Sequence, residues 1–313
     1  MSDIKLFTSI SEAIKSIFGE SRYVVKKNYV AVGDINEACT ITLDDGTILF
    51  MKTNIPAFLT NFKAEAAGLE AIRATGAIGV PAVLGAGTDT GFSFLLLTYI
   101  RGGGRISHYW ETFAEELAAV HRADLPEFGK YGFREDNWIG ARKQINTPHD
   151  KWIPFFRDCR LEPQIKSAGN YLMAEDRRRA ECLLDHLDRF LVEPDRPSLV
   201  HGDLWSGNMI TGDDGKGWLI DPAVYYGHPE IDIAMTELFG GFPQVFYEAY
   251  RDTGMLQPGY DDRKDLYNLY QLLKPSEHVR ARIPAGCKKD SKEVCGIRRQ
   301  PVRSAEAHSA SLQ

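Results

Sequence analysis

His201-Gly202-Asp203-Leu204-Trp205-Ser206-Gly207-Asn208, followed further on by Ile220-Asp221, is the stretch on which the reading of this chain turns. Asp203 and Asn208 stand five positions apart, the spacing of a catalytic aspartate and a metal-binding asparagine in a phosphoryl-transfer loop. The chemistry asks for such a set. One carboxylate must accept or orient the proton of an attacking hydroxyl, while a second carboxylate and an amide hold Mg²⁺ on the β- and γ-phosphates of ATP. Asp221 supplies the second carboxylate at the end of a short apolar strand. A bare His-Gly-Asp would be weak, because Gly-Asp is common in turns where the aspartate bonds its own backbone. The extended pattern with a strand-ending aspartate is far more specific.

Around this stretch the hydrophobic periods sort the chain into two lobes. Ser198–Val200 reads as a strand leading into His201, and Met209–Thr211 with Gly217–Ile220 as a hairpin through Asp213-Asp214-Gly215. Helical patterns cover Trp110–Ala123, a stretch around Trp152–Ser167, Glu175–Leu191, Ile231–Phe239, Val245–Asp252 and Arg263–Leu273. Nearer the N-terminus, Ala38–Leu43 and Ile48–Lys52 flank the turn signal Asp44-Asp45-Gly46. A helix over Asn61–Thr75 follows, and then strands over Val83–Gly87 and Phe92–Tyr99. Arg101-Gly102-Gly103-Gly104 separates the two regions and reads as a mobile joint, since glycines cost most to order. The expected fold class is α+β: a small antiparallel-sheet N-terminal lobe (1–100), a helical catalytic lobe (101–273) and an atypical basic tail (274–313).

The N-terminal lobe carries a second signal. Lys52 ends an apolar strand and Glu65 lies in the next helix, the arrangement in which kinases hold a lysine on the nucleotide phosphates. Alone, such a pair usually just solvates a surface. Its place upstream of the catalytic loop gives it weight. Leu97-Thr98-Tyr99, just before the glycines, would form the hinge, where backbone groups could bond an adenine edge or the strand could simply be core. Val32-Gly33-Asp34-Ile35-Asn36 could cover phosphates with backbone N–H groups, but with one glycine it is as readily a plain turn. His121 falls within a helix and reads as structural.

Composition narrows the rest. A formal net charge of −6 over 313 residues argues against a nucleic-acid binder. The five cysteines form no CxxC pair or zinc spacing, and nothing near Cys39 suggests a nucleophile. No signal peptide and no run of about 20 apolar residues is visible, so a cytoplasmic protein with no membrane partner is expected. Residues 274–313 carry nine basic against four acidic side chains and no sustained apolar period, a composition that favours disorder.

Val200-His201-Gly202-Asp203-Leu204-Trp205-Ser206-Gly207-Asn208 resembles the fructosamine kinase (ketosamine-3-kinase) family, within the aminoglycoside phosphotransferase-like, protein-kinase-like fold. Glu65-Ala66-Ala67-Gly68-Leu69, Asp136-Asn137-Trp138-Ile139-Gly140, Trp152-Ile153-Pro154-Phe155-Phe156 and the run Asp221–Asp232 add to the likeness, which covers about residues 3–273. The resemblance implies an ATP- and Mg²⁺-dependent enzyme that phosphorylates the 3-hydroxyl of a sugar ketoamine on an amine or protein lysine, leading to deglycation. It implies Asp203 as base, Asn208 and Asp221 as Mg²⁺ ligands, and Lys52 with Glu65 as phosphate clamp. Leu97 and Tyr99 would contact adenine, and Asn137, Trp138 and Trp152 would border the sugar. Where some family members carry a redox-sensitive cysteine, Asp34 stands here, so a monomer or weak dimer is expected. From Lys274 the chain leaves the family's apolar helical pattern, as a shifted reading frame or an unrelated extension would. Two other readings stay open: a kinase for another small hydroxylated amine such as an aminoglycoside, and an inactive kinase-fold binding protein.

Overall fold

The hairpin expected around Asp44-Asp45-Gly46 forms as two adjacent strands of a six-stranded sheet. A computed structural model describes residues 4–30, 36–124, 129–168 and 172–273. The N-terminal lobe runs β1 (Leu6–Phe7), α1 (Ile10–Phe18), β2 (Val24–Val30), β3 (Glu37–Leu43), β4 (Ile48–Asn54), α2 (Leu59–Thr75), β5 (Val83–Asp89) and β6 (Phe92–Thr98). The strand order is β1-β5-β6-β4-β3-β2, parallel between β1 and β5 and antiparallel elsewhere. Period-two alternation gives the sheet two apolar faces. Leu49, Met51, Phe94 and Leu96 pack with Ile14 of α1 on one side. Leu95 and Leu97 face α2 on the other, in a core continuous with the helical lobe.

The second lobe contains α3 (Tyr109–Arg122), β7 (Asn137–Ile139), β8 (Arg142–Gln144), α4 (Trp152–Phe156), α5 (Glu162–Ala168), α6 (Ala174–Asp185), β9 (Ser198–Val200), β10 (Met209–Thr211), β11 (Gly217–Leu219), β12 (Tyr225–Gly227), α7 (Glu230–Leu238), α8 (Gln244–Asp252) and α9 (Tyr260–Leu272). The stretch read as one helix from Trp152 to Ser167 is α4 and α5 joined by a π-helical turn, Arg157–Leu161. The helix expected over Glu175–Leu191 ends at Asp185 and gives way to a 3₁₀ turn, Leu187–Arg189. No helix among the described residues is long and apolar enough to cross a membrane. The readings of Val32–Ile35 and of the basic tail lie outside the described residues.

The glycine joint is tied down, contrary to its reading as a mobile segment. Gly102 bridges Gly212, Gly103 N–H donates to Thr211 O at 3.2 Å, and Ile106 N–H donates to Gly215 O at 3.1 Å. A Cβ at Gly103 would stand 2.4 Å from Gly212 O. The glycine is there for close approach of two backbones rather than for freedom.

Trp152 also departs from expectation. It is fully buried among Tyr131, Phe155, Phe156, His228 and Tyr267, with no exposed face to offer a sugar. An indole this large, enclosed by rings on several sides, belongs to the core of the lobe. Beside it, burial pulls the His228 imidazole down to about 4, with the Glu230 carboxylate opposing in part. The unfolded chain therefore takes up a proton near pH 6.5 that the folded chain refuses, and stability is lost as pH falls through this window. We expect this one group to cost about 2 kcal/mol by pH 5, relative to neutral pH. Urea unfolding at pH 7.5 and 5.0 checks this: His228→Asn should flatten the pH dependence, and an unchanged slope would contradict it.

Candidate active site

The loop over residues 201–208 is shaped by close backbone approach. Gly202 has φ +80, and a Cβ there would lie 2.2 Å from Ala223 O, so only glycine lets the loop press against the segment after Asp221. His201 secures the same junction: its carbonyl accepts from Ala223 N–H at 2.9 Å, and its Nε2 lies 2.9 Å from Ile220 O. Ile220 N–H donates to Asn208 O at 3.1 Å. The strand–loop–hairpin run thus returns the chain to its start and sets Asp203, Asn208 and Asp221 together.

Asn208 is a buried side chain whose Nδ2 donates to Asp203 O at 2.7 Å and to Asp203 Oδ2 at 3.1 Å. That commits the amide nitrogen to Asp203 and leaves Oδ1 as the atom suited to a cation. Asp221, at a left-handed φ of +56, points one carboxylate oxygen at Lys52 Nζ, 2.5 Å away. Lys52 also donates to Glu65 Oε1 at 2.7 Å. Burial alone would pull the Lys52 ammonium down, but Glu65 and Asp221 outweigh it and hold its pKa above the ordinary lysine value. The lysine therefore stays charged at every pH where the protein would work.

These side chains share one cavity of about 920 Å³, a size that holds a small-molecule ligand. Leu97, Thr98 and Tyr99 line it, as do Asn137 and Trp138. Asn137 nevertheless turns its amide inward, Nδ2 donating to Val224 O at 2.7 Å, so it is ill placed to bond a sugar. Trp152 does not reach the cavity. An amide oxygen and a carboxylate fit Mg²⁺, a hard cation that takes oxygen ligands and is commonly held by one or two side chains plus phosphates. No cluster of three or more His, Cys, Asp or Glu able to hold a metal occurs among the described residues.

Two features escaped the sequence reading. Asp232 is fully buried and accepts from His201 N–H at 2.7 Å and Gly202 N–H at 2.9 Å, while His121 Nε2 lies 3.1 Å from it. It therefore clamps the backbone of the 201–208 loop, with His121 as its buried structural partner. The available signal was a carboxylate inside the otherwise apolar run Ile231, Ile233, Ala234, Met235. The second feature is an aromatic wall: Trp205 packs edge-on against Phe239 with ring centroids 5.8 Å apart, and both line the cavity while partly exposed.

A profile of the fructosamine kinase family matches residues 6–280. The chain is 38% identical over 275 residues to a probable ketoamine kinase of Synechocystis, a match that spans 85% of this chain and 88% of that protein. It is 36% identical over 261 residues to the chloroplastic protein-ribulosamine 3-kinase of Arabidopsis thaliana, spanning 82% and 78% of the two chains. Among solved structures, a protein from Haemophilus somnus assigned as a fructosamine-3-kinase superposes with a TM-score of 0.75 at 34% identity, covering 85% of this chain and 88% of the other.

Proposed function

This chain belongs to the fructosamine kinase family, and on that premise we propose that Asp203 takes the proton of the attacking hydroxyl while Lys52, Asn208 and Asp221 serve the phosphates of ATP. The chain is an ATP-dependent ketosamine kinase: the γ-phosphoryl group passes from ATP to a sugar hydroxyl, the 3-hydroxyl of the ketoamine, and ADP leaves. As the new O–P bond forms, the hydroxyl proton goes to the Asp203 carboxylate. Asn208 orients that carboxylate through Nδ2, and Lys52, braced by Glu65, presents a fixed positive charge to the phosphates. Mg²⁺, held by Asn208 and Asp221, would neutralise charge on the β- and γ-phosphate oxygens. The hinge strand ending in Leu97, Thr98 and Tyr99 would receive the adenine.

The observation that carries this reading is the convergence of Asp203, Asn208, Asp221, Lys52 and Glu65 on one cavity. The aromatic wall of Trp205 and Phe239 suits the C–H face of a sugar or the stem of the amine that bears it. Trp138 would border the same pocket. The partial exposure of that wall leaves room for a lysine on a protein surface as well as for a free amine. Cys39 and Cys159 are buried thiols outside any disulfide, which suits a reducing cytoplasm; we take the enzyme to work there as a monomer or weak dimer.

The test is ADP release from Mg·ATP with ribulose-lysine, fructose-lysine or kanamycin as acceptor. The proposal expects turnover with one or both ketosamines and little with kanamycin. Turnover with kanamycin alone would replace the ketosamine by an aminoglycoside.

A further inference from the structure

We infer that Gln144 and Tyr270 are positioning residues for Asp221, acting through a buried chain of hydrogen bonds from α9 to the backbone just past that aspartate. The inference rests on the reading of Asp221 as a metal ligand. Asp221 is a non-glycine residue at φ +56, a conformation that persists only where the surroundings over-determine it. Its carboxylate is nearly half exposed and held at one oxygen by Lys52, and its backbone is held by the neighbours on either side. Upstream, Ile220 is held through both its N–H and its carbonyl by Asn208 and His201. Downstream, the carbonyls of Ala223 and Val224 are each taken by a side-chain amide: Gln144 Nε2 donates to Ala223 O at 3.0 Å and Asn137 Nδ2 to Val224 O at 2.7 Å.

Those amides are oriented in turn. Gln144 Nε2 spends its second proton on Asn137 Oδ1 at 2.9 Å, and Asn146 Nδ2 donates to the same oxygen at 2.9 Å. Arg160 Nη2 donates to Asn146 Oδ1 at 2.8 Å. The π-helical turn carries Arg160 into this layer, where it is fully buried with its guanidinium 3.9 Å from the Tyr225 ring centroid. Finally, the Tyr270 hydroxyl donates to Gln144 Oε1 at 2.9 Å. An amide can turn over and exchange its N and O. Here the partners allow one orientation each, because peptide carbonyls only accept and the guanidinium only donates.

The Tyr270 hydroxyl supplies the donor that pairs Gln144 Oε1 and holds the amide in place against Ala223 O. Without the hydroxyl, Gln144 Oε1 is buried without a donor. The amide must then shift toward another donor or leave that oxygen unpaired, and its bond to Ala223 O weakens. The segment carrying Asp221 would loosen, and the Asn208–Asp221 oxygen pair would lose its spacing. Partners one step removed from a metal ligand typically tune affinity by about 10–100-fold; Gln144 and Tyr270 act further out, through the backbone at Ala223, so their effect should fall at the lower end of that range.

Calorimetric binding of ADP with Mg²⁺ and with EDTA tests this without catalysis. In the unaltered protein Mg²⁺ should tighten ADP binding. Tyr270→Phe and the near-isosteric Gln144→Met should erase roughly tenfold or more of that gain, leaving metal-free ADP affinity within about twofold. Tyr267→Phe, on the same helix and equally buried but outside the chain of bonds, should behave like the unaltered protein. Should Gln144→Met fail to fold, Tyr270→Phe decides alone. A full metal-dependent gain in Tyr270→Phe, or an equal loss in Tyr267→Phe, overturns the positioning role and leaves the kinase reading intact. Absence of any gain in the unaltered protein overturns the ligand role of Asn208 and Asp221, and this inference with it.

Discussion

Asp203→Asn will leave a folded protein that still binds ATP and scarcely transfers phosphate. Asparagine matches aspartate in shape and keeps a side-chain oxygen to accept from Asn208 Nδ2, a contact now at 3.1 Å. It cannot take the proton of the attacking hydroxyl. Losing a positioned general base typically lowers kcat by roughly 10²–10⁴-fold, which is about 3–5 kcal/mol on the barrier. Lys52, Glu65 and Asp221 keep their own contacts, so KM for ATP should stay within a few-fold. Steady-state kinetics of the variant decides the point. A kcat within tenfold of the unaltered enzyme would remove Asp203 from the proton-accepting role.

Asp232→Ala carries the largest expected effect on stability. Its carboxylate accepts from two backbone N–H groups of the catalytic loop and pairs with His121, which also lies 2.6 Å from the Tyr250 hydroxyl. All of these groups are buried. Truncation strands the donors in the interior, away from bulk solvent. Breaking a buried pair from one side costs about 3–5 kcal/mol, compared with about 1 kcal/mol for a typical hydrogen bond. The urea midpoint should fall accordingly, and activity should drop further than unfolding explains because the loop holding Asp203 loosens. A variant within about 1 kcal/mol of the parent would mean that the loop is held by something else.

The residues that could be read from sequence were those whose chemistry depends on spacing along the chain. Asp203 and Asn208 lie on one short loop, so five positions fix their meeting. Lys52 and Glu65 sit on a strand and the helix after it, and their order relative to the loop was enough to join them. What failed was facing. Trp152 looks like a sugar platform in isolation, and only the rings of Tyr131, Phe156 and Tyr267 around it show that it points into the core. Asn137 sits at the cavity, yet its amide is spent on Val224, which spacing does not reveal. Among the elements, β2 escaped because every one of its residues is exposed, so it has no alternation to detect. The short strands β7, β8 and β12 run only three residues each, below the length at which a period can be recognised; β9, equally short, was legible because its run leads straight into His201. Helix α1 has a capping serine, Ser9, whose side chain accepts from Glu12 N–H, a start signal that was there to be read.

The most direct test of the central claim is ³¹P and ¹H NMR of fructose-lysine or ribulose-lysine incubated with the protein and Mg·ATP. The account predicts a new phosphomonoester resonance coupled to the proton on carbon 3 of the sugar, growing in step with ADP. A phosphate on another position, or ADP formed with no phosphorylated ketosamine, would contradict it.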